Sequence, residues 1–271
     1  MDTYFIGYDA REHEAAGVCA YSILARATKR PKIYMVEHRQ LRKLKMFYRT
    51  SRIHAGGQMY DDGDSRPFST DFSHSRFLVF HLARELGITG TCMFVDCDFL
   101  FQDDPSLMMR EHRKTKKPIS VVNRDRRVVE NSTKMDGMVQ QNYYRKLWSA
   151  LFCFTPSDKL ANLFSVDAVS NDTGRELHGF KGMPQEDFGE LNPRWHMIPS
   201  LDEMPEQFEN IGALHYSEFS PWINPELKSE YVGPYTAWYI ERERMLLNAV
   251  KTGQIINASN LETDLKLAAS G

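Results

Sequence analysis

Short apolar runs alternate with helical periodicities along the first hundred or so residues. Tyr4-Phe5-Ile6-Gly7-Tyr8 is a compact apolar run ending at Asp9, the composition of a strand. Residues 11–27 carry alanines and apolar positions at Val18, Tyr21, Ile23 and Leu24, a helical spacing that Pro31 stops. Ile33-Tyr34-Met35-Val36 is a second strand, and this β-α-β order predicts a parallel sheet. Residues 37–70 are polar and irregular, with Gly56-Gly57, Asp61-Asp62-Gly63-Asp64 and Pro67 marking turns. Ser69-Thr70-Asp71 predicts the N-cap region of a helix over 71–86, with an apolar face of Phe72, Phe77, Leu78, Leu82 and Leu86. Gly87 ends it, and residues 91–95 read as a strand running into the apolar stretch 93–101. Further strands are predicted at 118–122, 147–154 and 211–215, a helix from Pro156, shorter elements over 170–210 and a helix over 234–251. No internal repeat and no linker rich in Pro, Gly or Ser divides the chain. The pattern predicts one α/β domain over 1–271, with a C-terminal helical segment at about 234–271.

Composition changes this picture little. The 271 residues are 42% hydrophobic and 26% charged, with a formal net charge of −2, so nothing demands a nucleic-acid partner. Basic residues cluster over 39–52 and 110–127. Such runs are solvated faces or sites for phosphates and acidic headgroups, which leaves peripheral membrane association open. The four cysteines form no C-x-x-C pair, a usage that fits a reducing compartment. No apolar segment reaches the ~18 residues of a membrane span, and no apolar signal stretch opens the chain. The expected location is cytoplasmic.

The candidate chemistry lies in Phe94-Val95-Asp96-Cys97-Asp98-Phe99. Aspartate is depleted in strands and rarely buried without a partner. On a strand, Asp96 and Asp98 share one face and Cys97 takes the other, so the two carboxylates can share one ion. Mg²⁺ or Mn²⁺ together with a diphosphate would compensate them; capping of nearby backbone N–H groups is the alternative. The spacing alone decides nothing, because Asp62-Gly63-Asp64 repeats it in a turn-rich loop, where aspartate is at home. That copy reads as structural.

Four segments, in order, resemble GT-A-type glycosyltransferases, in particular small family-8-like enzymes. They are Phe5-Ile6-Gly7-Tyr8-Asp9-Ala10-Arg11-Glu12, then Phe68 through Leu78 with Arg76, then Phe94-Val95-Asp96-Cys97-Asp98, and Ala213-Leu214-His215-Tyr216-Ser217-Glu218-Phe219-Ser220-Pro221-Trp222. A fifth stretch, Thr133 to Gln140 and Arg145 to Phe152, is similar to a narrower bacterial and viral group, with Leu147 and Ala150 departing from its pattern. The resemblance implies a GT-A (Rossmann-like) α/β/α sandwich with a mixed, mostly parallel central sheet. It implies a metal-dependent transferase that moves a sugar from a nucleotide-sugar donor, a UDP-sugar, to a hydroxyl of a glycan, lipid-linked or protein acceptor with retention of configuration.

The resemblance also assigns roles. Asp96, Asp98 and His215 would hold Mn²⁺ or Mg²⁺. Tyr8, Asp9, Arg76, Asp96, Cys97 and Lys146 would contact the donor nucleotide. Lys134, Asp136, Gln140, Trp148 and Trp222 would line the sugar or acceptor pocket, and Asp187 or Glu186 would meet the reacting sugar. Each residue keeps a structural alternative: core for Tyr8 and the tryptophans, a salt bridge for Arg76, a capping cluster for Glu186 and Asp187. Ser220 stands where relatives often carry a diphosphate-binding lysine, so another cation would serve there. A nucleotidyltransferase would want a glycine-rich basic loop after the first strand, where this chain has Asp9-Ala10-Arg11-Glu12. A nucleotide-binding module without activity is the non-enzymatic alternative.

Overall fold

The computed structural model describes residues 2–124, 139, 145–204, 210–248 and 260–270, with the side chain of Lys146 left out. The chain opens with β1 (Thr3–Tyr8), α1 (His13–Arg26) and β2 (Lys32–Glu37). Next come the short α2 (His38–Lys43) and a small antiparallel sheet of β3 (Ser51–Ile53), β4 (Met59–Asp61) and β5 (Pro67–Phe68). Then follow α3 (Val79–Glu85), β6 (Cys92–Val95), β7 (Phe99–Phe101), α4 (Pro105–Thr115) and β8 (Ile119–Val121). After β9 (Leu151–Phe154) stand α5 (Asp158–Leu163), α6 (Val166–Asn171) and α7 (Gly174–His178). The described remainder is β10 (Phe188–Glu190), β11 (Ala213–His215), α8 (Val232–Leu247) and α9 (Leu261–Ala269).

The main sheet has the order β10-β8-β9-β6-β1-β2. Only β9 runs against its neighbours, so the sheet is mixed and mostly parallel, as expected. The central strands are buried on both sides, and their near-continuous apolar sequence is what that position requires. Phe80 of α3 packs on Phe152 and Phe154 of β9, with ring centroids 5.4 and 4.7 Å apart.

Topology positions the site. From β1 the chain steps to β2, then returns through α3 to β6 on the other side of β1. Right-handed crossovers put α1 and α3 on opposite faces of the sheet. The reversal makes the gap between the carboxyl ends of β1 and β6 a topological switch point, where open α/β sheets bind ligands. Asp9 follows β1 there, and Asp96 follows β6.

Several expectations need correction. The helix expected over 71–86 is a 3-10 turn, Ser75–Leu78, followed by α3, and the strand expected over 147–154 begins at Leu151. The stretch 93–101 is not one strand: β6 stops at Val95, a turn holds Asp96, Cys97 and Asp98, and β7 begins at Phe99. Aspartate favours a turn over a ladder, and β7 leaves the main sheet to pair with β11. The irregular 37–70 segment holds α2 and the β3–β5 sheet. That small sheet is anchored by a buried bidentate pair, Arg49 to Asp61 at 2.7 and 2.6 Å, and Arg49 also donates to the carbonyls of Val169 and Asp172.

Candidate active site

The turn after β6 is held by backbone on both sides. Asp96 N donates to Ala150 O at 2.9 Å, and Tyr216 N donates to Asp98 O at 2.9 Å. Register then delivers the third side chain: β11 pairs with β7 so that His215 lies opposite Phe99. The imidazole Nε2 of His215 stands 3.3 Å from Asp98 Oδ1. One ligand atom from each of Asp96, Asp98 and His215 falls within 4.8 Å of the others, and all three residues are buried. Strand alternation does not bring the aspartates together; the turn and the β7–β11 register do. The His215 ring stacks on Phe99 at 4.2 Å and 13°. Its Nδ1 is 2.7 Å from Nε2 of His196, a fully buried residue that sequence reading missed.

Arg76 is the ion-pair partner of Asp96. Its Nη1 donates to Asp96 Oδ1 at 2.7 Å and to Ser149 O at 2.9 Å, with the guanidinium over the rings of Phe72 and Phe94. Arg76 thus forms a buried salt bridge with Asp96. Gly7 is required beneath Phe72, because a Cβ there would lie 2.4 Å from the ring.

Asp9 organises the loop after β1. Its carboxylate accepts from Arg11 N, Nε and Nη2 and from Asp71 N, at 2.9, 3.1, 2.6 and 3.0 Å. Burial raises its pKa, but these Arg11 and backbone bonds outweigh burial and hold it below the usual carboxylate value. Burial and the charge of Asp9 together push the neighbouring Asp71 carboxyl upward. Tyr8 is half-buried, its hydroxyl 2.9 Å from His13 Nδ1. The Cys97 thiol is buried and donates to Glu12 Oε2 at 3.3 Å, in the turn that precedes α1.

Among the described residues, Asp187, Trp148 and Trp222 have partners of their own. Asp187 sits in the turn Gln185–Asp187 and pairs with Lys159 at 3.2 Å, while Glu186 is exposed. Trp148 is buried, packing on Phe188 and under the Arg145 guanidinium. Trp222 packs against Tyr216 and Trp238 in a separate apolar cluster. Both tryptophans make aromatic packing contacts. Lys134, Asp136 and Gln140 lie outside the described residues, as does the side chain of Lys146.

The donor set suits a small divalent cation. Two carboxylates and one imidazole are hard and borderline ligands of the kind that hold a divalent cation.

No family model matches this chain. Protein CDI of Arabidopsis thaliana is 32% identical over 222 residues, covering 81% of this chain and 79% of that protein. The chain belongs to the family of Protein CDI. Its architecture is that of a GT-A-type glycosyltransferase fold. The WbbM bifunctional glycosyltransferase superposes with a TM-score of 0.50 over 88% of this chain at 13% identity. This chain spans about half the length of WbbM, 51%. The galactosyltransferase LgtC, solved with donor and acceptor sugar analogs, gives a TM-score of 0.45 at 10% identity over 90% of this chain and 96% of its own. Among the described residues of this Protein CDI relative, no helix is long and apolar enough to cross a membrane.

Proposed function

We propose that the chain is a metal-dependent glycosyltransferase that moves a sugar from a UDP-sugar to a hydroxyl of a glycan, lipid-linked or protein acceptor, with retention of configuration. The observation that carries this reading is the convergence of Asp96, Asp98 and His215 at the switch point between β1 and β6. A bound Mn²⁺ or Mg²⁺ would supply Lewis-acid stabilisation of the charge on the departing nucleoside diphosphate. Asp96, Asp98 and His215 would hold that ion. Arg76, already fixed by Ser149, would keep Asp96 oriented and present positive charge to the diphosphate. The loop around Tyr8, Asp9 and Arg11 would border the nucleoside. Asp187 and Glu186 remain the candidates for meeting the sugar, and Lys146 for a further contact to the diphosphate.

Calorimetry with UDP tests the reading. UDP binding should require Mn²⁺, and Asp98→Asn should weaken it by at least about tenfold while the melting temperature stays within a few degrees. UDP binding that is indifferent both to Mn²⁺ and to Asp98→Asn would sink it. Turnover is tested separately on a panel of UDP-sugars; tight binding with neither hydrolysis nor transfer would make the chain a binding module instead.

A further inference from the structure

We propose that His196 is a positioning residue for the cation site, selecting the nitrogen that His215 offers to the ion. The inference rests on the metal reading above. Nε2 of His215 faces Asp98, and Nδ1 lies 2.7 Å from His196 Nε2. For Nε2 to ligate a cation its lone pair must be free, so the ring's one proton must sit on Nδ1. His196 Nε2 must then be the acceptor. In the opposite arrangement His196 donates, the His215 proton sits on Nε2, and His215 donates to Asp98 instead. Both arrangements are neutral. They differ in which ring nitrogen carries each proton, and only the first is open to metal.

The chain holds His196 in place for this task. It follows the turn Pro193–Trp195, which is capped by Asn192, whose side chain accepts from Arg194 N. Trp195 is fully buried and donates through Nε1 to Glu111 at 3.0 Å. On the other side Met197 N donates to Ala213 O and His215 N donates to Met197 O, at 3.1 and 2.7 Å. The backbone that carries His196 is therefore laced to the strand that carries His215. The two imidazoles also share one aromatic neighbour, Phe99, at 5.1 and 4.2 Å. Outer partners of this kind orient a ligating imidazole and raise its basicity, and their loss costs about 10- to 100-fold in metal affinity.

The test measures Mn²⁺ uptake by the full chain, with and without UDP, from the electron paramagnetic resonance signal of free Mn²⁺. His196→Phe keeps a ring against Phe99 and removes the acceptor; His196→Gln returns a side-chain carbonyl. The expected result is a loss of about 10- to 100-fold for His196→Phe and recovery of most of it in His196→Gln. Wild-type affinity in His196→Phe overturns the proposal. So does an equal loss in both variants with melting temperatures unchanged, because the role would then be packing alone. A wild-type chain that takes up no Mn²⁺ with UDP present overturns the metal reading itself and this inference with it.

Discussion

Gly212 ties the packing of the fold to the geometry of the site, and replacing it with alanine should damage both. A Cβ at this position would lie 2.4 Å from Trp195 Cε3 and within 2.9 Å of two further ring atoms. Real Cβ atoms do not come so close, so one side has to move. Trp195 is fully buried, its indole is bonded to Glu111, and Arg194 lies over its face at 4.5 Å. The Gly212 backbone is held as firmly: its N donates to Arg194 O at 2.8 Å, and its O accepts from Gln102 N and Asp103 N at 2.8 and 3.2 Å. Overpacking of a site that cannot relax costs about 1–3 kcal/mol, roughly a 2–10 °C fall in melting temperature for a chain of this size. Any shift of the backbone here also displaces β11 and with it His215, so Mn²⁺ affinity should fall together with stability. Differential scanning fluorimetry and Mn²⁺ titration read the two effects. Gly17→Ala is the control: it lies within α1, and its Cβ would meet the flexible end of Met245, Sδ at 3.0 Å and Cε at 3.8 Å. The gain in helix propensity, about 1 kcal/mol, should leave that variant neutral or slightly stabilised. A Gly212→Ala chain that melts and binds Mn²⁺ like wild type would refute the packing argument.

Asp61→Asn should cost about 3–5 kcal/mol in urea denaturation, because it leaves Arg49 buried without its carboxylate; a loss below about 1 kcal/mol would show that the pair anchors nothing. Stability should also fall as pH drops below about 6.5. Burial, with Arg49 adding to it, lowers the pKa of His74 to about 3, and burial with Arg113 lowers that of His112 to about 4. Between the folded and unfolded values the unfolded chain binds the extra proton, so each histidine removes up to about 1.4 kcal/mol per pH unit on acidification. Urea midpoints at about pH 7, 6 and 5 should decline in that order, and a flat profile would contradict the burial of both rings. The depressed pKa of Asp9 adds a further loss only when pH falls below the ordinary carboxylate range and on through its folded value.

Much of this fold was legible because parallel strands buried on both faces must be apolar runs, as 4–8, 33–36 and 92–95 are. The direction of β9 was not legible, since Leu151-Phe152-Cys153-Phe154 reads alike whichever way it runs. Nor were β3 to β5, whose strands of two or three residues are too short to show a period. At the site, Asp96 and Asp98 stood out as charges inside an apolar stretch, and His215 as the end of an apolar run. The turn between β6 and β7 was hidden because both flanks are equally apolar. His196 was invisible for a different reason: its partner is reached through register between distant segments, and Pro193-Arg194-Trp195-His196 has no period of its own. Trp148 and Trp222 show the converse, aromatic residues whose burial sequence cannot assign to core or cleft.

The separate pairing of β7 with β11 has a consequence for how the chain is made. The two carboxylates leave the ribosome with the first sheet strands, whereas His215 is synthesised more than about a hundred residues later and reaches them only when β11 docks. An ion shared by these three groups would close a very long loop, a cross-link that stabilises in proportion to the chain entropy it removes and to the ion's concentration. Nascent chains that stall before β11 would present the carboxylates without the imidazole. Tight cation capture would then wait on the docking of β11, and uptake of the ion would report that late step of folding.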